Sequence, residues 1–256
     1  MTLSAMILTH NNARTIARTV ASVVSLADDI VVVDDHSTDD TVAMVRAWAP
    51  RARVFTRALN HDFAAQRNFA LDQVHHDWVL VIDSDEELSP QLAESIRQAL
   101  QNPCFDGYTC TRHNPMFDRY LPMALGRALL CRRQYRFTSA LHERQHIPQL
   151  GMLAGPLWHH SWEGLAHWMD DLRDYARQRA RLWRAKGYRY GLTMLTLRVL
   201  VSVPFFFFKT WLVDGKWRAG RLGLLYALGC AAEWVYTGLF YYEFYLQHPH
   251  TPHKLP

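Results

Sequence analysis

Cysteine is scarce in this 256-residue chain, and the four cysteines show no Cys-x-x-Cys spacing. Such spacing is typical of zinc sites, and regularly placed cysteines are typical of small disulfide-linked folds, so neither class is indicated. Cysteine usage of this kind fits a reducing cytosol. The chain also lacks a basic leader before its first apolar stretch, Leu3–Leu8, and we expect the amino-terminal part to stay in the cytoplasm.

Long uncharged runs are lacking as well. The apolar segment Leu192–Val213 contains Arg198, and its longest uncharged run, Val199–Phe208, has ten residues. A membrane-spanning helix needs roughly 20. A second apolar segment, Leu222–Tyr242, is interrupted by Glu233. We therefore expect both segments to lie in a membrane interface or to pack within the protein, and the alternative is a helical subdomain that forms a core or an oligomer contact.

The formal net charge is only +4, which makes no case for nucleic-acid binding by itself. The charge is unevenly distributed, because Arg173 to Arg221 contains 12 Lys or Arg and only two acids. Tryptophan, tyrosine and phenylalanine are interleaved with these basic residues. The combination indicates an anionic partner surface, either lipid headgroups or nucleic acid.

The first hundred residues alternate apolar runs with amphipathic segments. The pattern predicts strands at 3–9, 30–34, 53–56 and 78–82, and helices at 13–26, 40–48, 63–75 and 90–100. This βαβαβαβα order is typical of an α/β fold whose mostly parallel sheet is covered by helices on both faces. We expect an α/β domain over 1–164, β-rich after residue 107, and a basic helical region over 165–256 for membrane association or oligomerisation.

Two aspartates end the most apolar of these strands. Asp83 and Asp85 follow Trp78–Ile82, at the carboxyl end of a buried strand, where open α/β sheets bind ligands. Two neighbouring carboxylates at such a place are costly unless a cation takes up their charge. Oxygen ligands suit Mg²⁺ or Mn²⁺, so the pattern predicts a metal site. Glu86 and Glu87 fit a solvated loop before the next helix.

Other polar residues follow the same logic. Asp35 ends the second strand, where a carboxylate can accept a hydrogen bond from a nucleobase or a ribose. Arg67, on the helix before the strand 78–82, either pairs with Asp35 or contacts a nucleotide base or phosphate, and the alternative is a position on an exposed helix face. Glu143 can act as a general base or pair with a neighbouring arginine. Adjacent strand residues face opposite ways, so at most one of His159 and His160 points at the site, and His159 is the metal candidate.

With these residues in place, the chain resembles the family 2 inverting glycosyltransferases of the GT-A fold. The resemblance covers about the first 100 residues and is carried, in order and spacing, by Thr9-His10-Asn11, Val31-Val32-Val33-Asp34-Asp35-His36-Ser37-Thr38-Asp39, Ala64-Ala65-Gln66-Arg67-Asn68 and Val81-Ile82-Asp83-Ser84-Asp85-Glu86. A weaker match is similar to the bacterial subgroup that contains lipopolysaccharide core glucosyltransferases, through Leu141-His142-Glu143 and Trp158-His159-His160-Ser161.

The resemblance implies that Asp35 binds the nucleobase while Thr9 and Arg67 hold the nucleotide. It implies that Asp83 contacts ribose or metal and that Asp85 ligates the Mg²⁺ or Mn²⁺ that bridges the diphosphate.

The resemblance also implies that Glu143 deprotonates the acceptor hydroxyl, which attacks the anomeric carbon with inversion. The implied donor is a nucleotide-diphosphate sugar, of which uridine diphosphate glucose is a guess. The implied acceptor is lipopolysaccharide core, another glycolipid or a polysaccharide. These partners favour lipid over nucleic acid for the basic region, on the cytoplasmic face of the inner membrane, and leave room for a homo-oligomer. Family members usually have glycine where His36 stands, so we expect His36 to avoid a positive φ.

Three alternatives remain at this point. A synthase that loads sugar onto polyisoprenyl phosphate shares the metal site and typically has clearer membrane anchoring. A non-catalytic relative would bind nucleotide only. A two-component receiver domain would be phosphorylated at Asp83, but it needs a lysine at the end of a later strand, and the first lysine of this chain is Lys186.

Overall fold

A computed structural model of the chain describes residues 2–116, 119–138, 144–160 and 164–247. Its contacts form two compact units. The first comprises Met1–Pro115 and Pro122–Ser161, and the second comprises Met116–Leu121 and Trp162–Pro256. A short segment, Met116–Leu121, joins the second unit, which the sequence pattern did not predict, and the domain roles assigned to 1–164 and 165–256 stay predictions.

The strands are β1 (Leu3–Thr9), β2 (Asp29–Asp34), β3 (Arg53–Thr56), β4 (Trp78–Asp83), β5 (Glu86–Leu88), β6 (Gly107–Met116), β7 (Arg119–Ala124), β8 (Leu130–Arg132), β9 (Phe137–Thr138), β10 (Arg144–Gln145) and β11 (Leu150–His159). The helices are α1 (Ile16–Val23), α2 (Thr41–Trp48), α3 (Phe63–Gln73), α4 (Pro90–Gln101), α5 (Leu165–Ala185), α6 (Leu192–Phe208) and α7 (Gly220–Gln247). A π-helical turn, Lys209–Val213, extends α6, and a 3₁₀ turn, Lys216–Ala219, precedes α7.

The main sheet of the first unit runs in the order β3-β2-β1-β4-β8-β6-β11-β5. Its first four strands are parallel, as the βαβ pattern predicts. Beyond them β8 lies antiparallel to β4, and β11 lies parallel to β6 and antiparallel to β5. The fold is therefore the predicted α/β class with a mixed second half. The short strand β5 is absent from the prediction because its three residues are too few to show a period.

Burial on both faces of the sheet explains why the central strands are continuously apolar. In β4 Leu80 and Ile82 join one core cluster, while Val79 and Val81 join another. Successive strand residues point to opposite faces, so an apolar residue at every position means that both faces are covered. The helices α1 and α4 supply one of these cores and α3 contributes to the other. Only the strand ends are left for polar chemistry.

The second unit has an aromatic interior. Trp183 on α5 lies against Tyr190, Trp234 and Tyr241, with ring centroids about 6 Å apart. Such contacts are worth roughly 0.5–1.5 kcal/mol each beyond the burial of area. A second cluster, on Leu121 and Trp168, includes the short segment that joins this unit. The predicted basic helix, α5, thus packs through aromatic and small residues on its apolar side.

Two helical segments of this unit are long and apolar enough, by length and composition, to cross a membrane. Leu192–Val213 has 22 residues and Lys216–Gln247 has 32, and their most apolar windows of 18 residues have mean hydropathies of 1.6 and 1.2. Only 6% of the most apolar window of the first segment is buried within the protein, against 28% for the second. The expectation that both lie in an interface or pack within the protein stays a prediction.

Candidate active site

The carboxyl ends of three neighbouring strands bring the predicted polar residues to one edge of the sheet. In the register, Thr9 of β1 lies beside Asp34 of β2, and Leu8 lies beside Asp83 of β4. Thr9 and Asp34 are almost fully buried, at 5% and 2% exposure. Thr9 Oγ1 and Asp34 Oδ1 have no hydrogen-bond partner among the described residues, so two polar atoms are left for a ligand or for water at this edge.

Hydrogen bonds join Asp35, in the loop that follows β2, to the loops that follow β1 and β3. Its Oδ1 accepts a hydrogen bond from the backbone N–H of Leu59 at 2.9 Å, and its carbonyl oxygen lies 2.6 Å from Nδ1 of His10. Asn11 also joins the loops that follow β1 and β2, because its side-chain oxygen accepts from the N–H of Thr38. The side chain of Asp35 is only partly buried, so this carboxylate is both positioned and accessible.

Four residues with side chains adopt a positive φ in the loops after β1, β2 and β3: Asn11 (50°), His36 (52°), Asn60 (50°) and His61 (58°). The expectation that His36 avoids a positive φ is therefore wrong. The loop between Asp34 and Ser37 is short, and Asp34 Oδ2 accepts a hydrogen bond from the Ser37 N–H, so the backbone must turn sharply at this point. Backbone strain of this kind clusters at ligand-binding sites.

Two arginines hold the carboxylate of Asp83. Arg67 Nη2 donates to Oδ1 at 2.8 Å, and Arg127 Nη2 donates to Oδ2 at 3.2 Å. Burial raises the pKa of the Asp83 carboxyl, but the two guanidinium groups outweigh burial and hold the pKa well below its usual range. Arg67 itself is 5% exposed, so it does not lie on an exposed helix face, and its carboxylate partner is Asp83 and not the predicted Asp35.

Glu86 is a fully buried member of this charge cluster, which corrects its assignment to a solvated loop. One carboxylate oxygen, Oε2, accepts from Arg127 at 2.6 Å and from the Asp83 N–H at 2.9 Å. Burial raises the pKa of the Glu86 carboxyl, with Arg127 opposing the shift and Asp83 adding to it. Glu86 is buried because residues 86–88 form β5 and pair with β11, which takes Glu86 into the sheet.

The turn that carries Asp85 is anchored from α1. The hydroxyl groups of Thr15 and Thr19 both donate to the carbonyl oxygen of Ser84, at 3.0 and 2.9 Å. On the other side the N–H of His160 donates to the carbonyl oxygen of Asp85 at 2.7 Å. The carbonyl groups of Ser84 and Asp85 both accept hydrogen bonds, and these bonds fix the turn that carries the Asp85 side chain.

The strand β11 brings His159 to Asp85. Its Nε2 lies 3.2 Å from Asp85 Oδ2, while its Nδ1 lies 2.9 Å from Asn114 Oδ1. His160 faces the other way and contacts Glu87 at 2.8 Å, so one histidine of the pair meets the predicted aspartate, as alternation requires. Both oxygens of Asp83 contact arginines, so Asp83 does not form a set of three metal ligands with Asp85 and His159. No group of three metal-ligating side chains occurs in the described ranges.

Glu143 lies outside the described residues, so its role as a base stays a prediction. The ligand roles of Thr9, Asp35, Arg67, Asp83, Asp85 and His159 likewise stay predictions. Residue patterns missed Arg127, Glu86 and Asn114, which the structure adds to this edge. Arg127 had no usable signal, because it lies 44 residues from Asp83 in a segment without regular pattern.

Residues 4–151 match the profile of glycosyl transferase family 2. An uncharacterized glycosyltransferase of Rickettsia felis is 39% identical over 119 residues, which are 46% of this chain and 37% of that protein. The matched part of this chain thus spans little more than a third of the length of that relative. The lipopolysaccharide core biosynthesis glycosyltransferase LpsC of Rhizobium meliloti is 26% identical over 270 residues, covering 96% of this chain and 93% of that protein.

Solved structures agree on the fold. The crystal structure of S. aureus TarS 1-349 is similar with a TM-score of 0.50 and 17% identity, covering 97% of this chain and 92% of that one. The same protein in complex with UDP-GlcNAc gives a TM-score of 0.51 at 13% identity. The family match excludes the receiver-domain alternative. More than half of the chain matches the family profile, so this protein belongs to glycosyl transferase family 2 and has its GT-A fold.

Proposed function

We propose that this chain transfers a sugar from a nucleotide-diphosphate sugar to a hydroxyl group of a lipid-linked glycan, with inversion at the anomeric carbon. The observation that carries the proposal is the convergence of Asp35, Asp83 and Asp85 at the carboxyl edge of β2, β1 and β4. In open α/β sheets ligands bind outside this edge. The family and the site thus point to the same chemistry.

In this proposal Asp35 recognises the nucleobase. Its carboxylate is an acceptor that a base N–H can meet, and the Leu59 N–H holds its orientation. Thr9 and Arg67 line the nucleotide side of the same edge. Arg67 also keeps Asp83 ionised, so that Asp83 accepts hydrogen bonds from the ribose hydroxyl groups.

A divalent cation fits Asp85 and His159. A carboxylate oxygen and an imidazole nitrogen are ligands that Mn²⁺ accepts. Asp85 Oδ2 and His159 Nε2 are 3.2 Å apart, so the two atoms could hold one cation together. A bound Mg²⁺ or Mn²⁺ would neutralise charge on the diphosphate leaving group. Asp83 contributes less to such a site, because both its oxygens already meet arginines.

The remaining step is the deprotonation of the acceptor hydroxyl group. Glu143 takes the proton of the acceptor hydroxyl, whose oxygen bonds to the anomeric carbon as the bond to the nucleoside diphosphate breaks. Replacement of Glu143 by Gln should lower turnover strongly and leave donor binding unchanged. Equal turnover in this variant would reject Glu143 as the base.

The relatives guide the choice of substrates. LpsC is named for lipopolysaccharide core biosynthesis and resembles this chain over nearly its whole length. TarS was crystallised with UDP and with UDP-GlcNAc. We therefore propose a uridine diphosphate sugar as donor and lipopolysaccharide core, or a related glycolipid, as acceptor. Glucose is the first sugar to test.

The second unit supplies the proposed membrane contact. On α6 the outward side carries large exposed apolar residues, among them Leu200 (64% exposed), Val201 (67%) and Phe205 (59%). Arginine and lysine side chains from the same unit would meet anionic headgroups. We propose that this surface holds the protein on the cytoplasmic face of the inner membrane, near a lipid-linked acceptor.

The first test is a calorimetric titration of uridine diphosphate into the full chain with Mn²⁺ and with chelator, for wild type and Asp85→Ala. We expect binding that needs the metal and that the substitution abolishes. Glu87→Gln is the matched control, because Glu87 lies two residues away and contacts His160. Failure of a well-folded wild type to bind any of uridine, guanosine or cytidine diphosphate would reject the donor site.

A second candidate is a glycosyltransferase that uses polyisoprenyl phosphate. It is favoured by the two helical segments of sufficient length and hydropathy to cross a membrane. Its acceptor is a phosphate oxygen on a lipid and not a sugar hydroxyl. Incubation with radiolabelled donor and either undecaprenyl phosphate or lipopolysaccharide core distinguishes the two, because the label moves only to the true acceptor class.

A further inference from the structure

A buried amide contacts the far side of the His159 ring. Asn114 lies on β6, which pairs in parallel with β11 so that His113 stands beside Trp158. The next residues along the two strands, Asn114 and His159, therefore lie side by side. Asn114 is 2% exposed, and its Oδ1 is 2.9 Å from Nδ1 of His159.

The orientation of this amide follows from its second contact. Nδ2 of Asn114 lies 2.8 Å from the sulfur atom of Met123. A thioether sulfur can accept a hydrogen bond and cannot donate one. The reversed amide would place its oxygen against this sulfur, acceptor against acceptor, so the oxygen must face His159. An amide oxygen is only an acceptor, and Nδ1 of His159 must therefore carry the proton.

This proton decides what the other ring nitrogen can do. With Nδ1 protonated, Nε2 is the ring atom that faces Asp85 Oδ2, 3.2 Å away. A positive charge between these two atoms, either a proton on Nε2 or a bound cation, stabilises the contact. Where a divalent cation provides that charge, the imidazole ligand needs its outer nitrogen hydrogen-bonded to hold the ring.

We propose that Asn114 is a positioning residue that fixes the Nδ1-protonated form of His159 and so presents Nε2 to a divalent cation beside Asp85. The inference rests on the proposed metal-dependent sugar transfer and adds a residue to it. Asn114 touches neither donor nor cation, and it acts only through the His159 ring.

Three variants of the full chain test this role. Asn114→Leu keeps the volume and removes the acceptor, so Mn²⁺, titrated alone and then with uridine diphosphate, should bind about tenfold to a hundredfold more weakly. Asn114→Asp keeps an acceptor oxygen and should restore affinity to near that of wild type. His160→Ala is the control, because His160 lies on the same strand and contacts Glu87 instead.

A spectroscopic measurement separates ligation from a merely structural effect. Pulsed electron paramagnetic resonance of Mn²⁺-loaded protein with ¹⁵N-labelled histidine reports directly bound imidazole nitrogen. We expect this signal in wild type, Asn114→Asp and His160→Ala, and its loss or strong reduction in Asn114→Leu. Thermal unfolding of each variant confirms that it is folded.

The outcomes also separate this inference from the proposed function. A wild type that binds Mn²⁺ without the nitrogen signal, or a folded Asn114→Leu with unchanged Mn²⁺ affinity and signal, overturns the role of Asn114 and leaves metal-dependent transfer standing. A wild type that binds uridine diphosphate without any metal rejects the metal site itself, and with it this inference.

Discussion

Buried charges lie at one edge of the sheet in the first unit and among aromatic rings in the second. In the first, Arg127 connects Asp83 and Glu86 where the strands end. In the second, the guanidinium group of Arg198 lies 4.4 Å from the Trp183 ring centroid and donates to the hydroxyl of Tyr190 at 2.8 Å. One set of charges points toward a ligand edge, and the other is enclosed by the protein.

The position of the charged side chains explains why the outward side of α6, in the second unit, is apolar. Glu233 of α7 meets Arg179 of α5 at 2.9 Å, and Arg179 also lies 4.3 Å from the Trp234 ring centroid. Two of the charges that interrupt the apolar segments in the sequence thus have partners within the second unit, Arg198 with Trp183 and Tyr190 and Glu233 with Arg179. The outward side of α6 is left to apolar residues, a surface that suits lipid. The first unit groups its buried charges where the strands end, and the second places charges between packed helices.

The largest expected effect is on the charge cluster of the first unit. Arg127→Met leaves the carboxylates of Asp83 and Glu86 close together without their shared partner. We expect a loss of about 3–5 kcal/mol in the free energy of unfolding, the usual cost of breaking a buried pair. Urea denaturation measures it. Arg97→Met, which removes an exposed pair with Glu94, should cost no more than about 1 kcal/mol; equal losses would mean that burial does not set the strength of these pairs.

A smaller loss is expected at the opposite end of β2, at Asp29, whose side chain is 8% exposed. Burial raises the pKa of its carboxyl, but hydrogen bonds from Arg53, the His75 N–H and Ser4 outweigh burial and lower the pKa. The stabilisation is therefore present above the ordinary pKa near 4 and is lost as the pH falls below it.

Asp29→Asn should cost about 2 kcal/mol at neutral pH and reduce the loss of stability in acid. Denaturation at a series of pH values measures both effects. Asp72→Asn, at an exposed pair with Arg136, is the control. A variant with the acid dependence of wild type would contradict the assigned pKa direction.

The next prediction sharpens the contrast between the two surfaces. Leu200→Ser with Phe205→Ser should weaken binding to vesicles at least tenfold, about 1.4 kcal/mol, because each exposed side chain can bury apolar area in lipid. Flotation with phosphatidylcholine vesicles, with and without phosphatidylglycerol, measures it.

Trp48→Ser is the matched control, since Trp48 is a similarly exposed apolar residue (54%) of the first unit. Binding that persists in the double variant would reject α6 as the lipid contact. Binding that is equal on neutral vesicles at high salt would reject the role of the basic residues. Loss of self-association in the double variant, measured by light scattering, would instead assign this face to an oligomer contact.

The smallest effect concerns the strained loop after β2. His36→Gly should raise the free energy of unfolding by about 1 kcal/mol, since glycine adopts the positive φ of 52° without a side-chain clash. His36→Ala keeps a Cβ and should bring no such gain. Thermal unfolding compares the two variants. A gain of the same size for alanine would show that the histidine side chain, and not the backbone, causes the strain.

The strands of the parallel half were predictable because each contains a run of apolar residues and ends at a polar residue. β1 and β3 match their predicted bounds, and β2 and β4 differ by one residue. Helix ends were less certain. The helix predicted at 13–26 is observed as α1 only over Ile16–Val23. Periodicity indicates a face and does not fix where a helix stops.

The sequence alone determined the family, the parallel sheet and the aspartates at its carboxyl edge, because local patterns encode strand ends. Only the tertiary structure decided which charges share a partner. Arg127, Glu86 and Asn114 reach this edge through strands that pair across long stretches of chain, and Arg198 and Glu233 turn inward through helix packing. Pairing between distant segments depends on the summed burial and hydrogen bonding of the whole fold, which no local pattern contains.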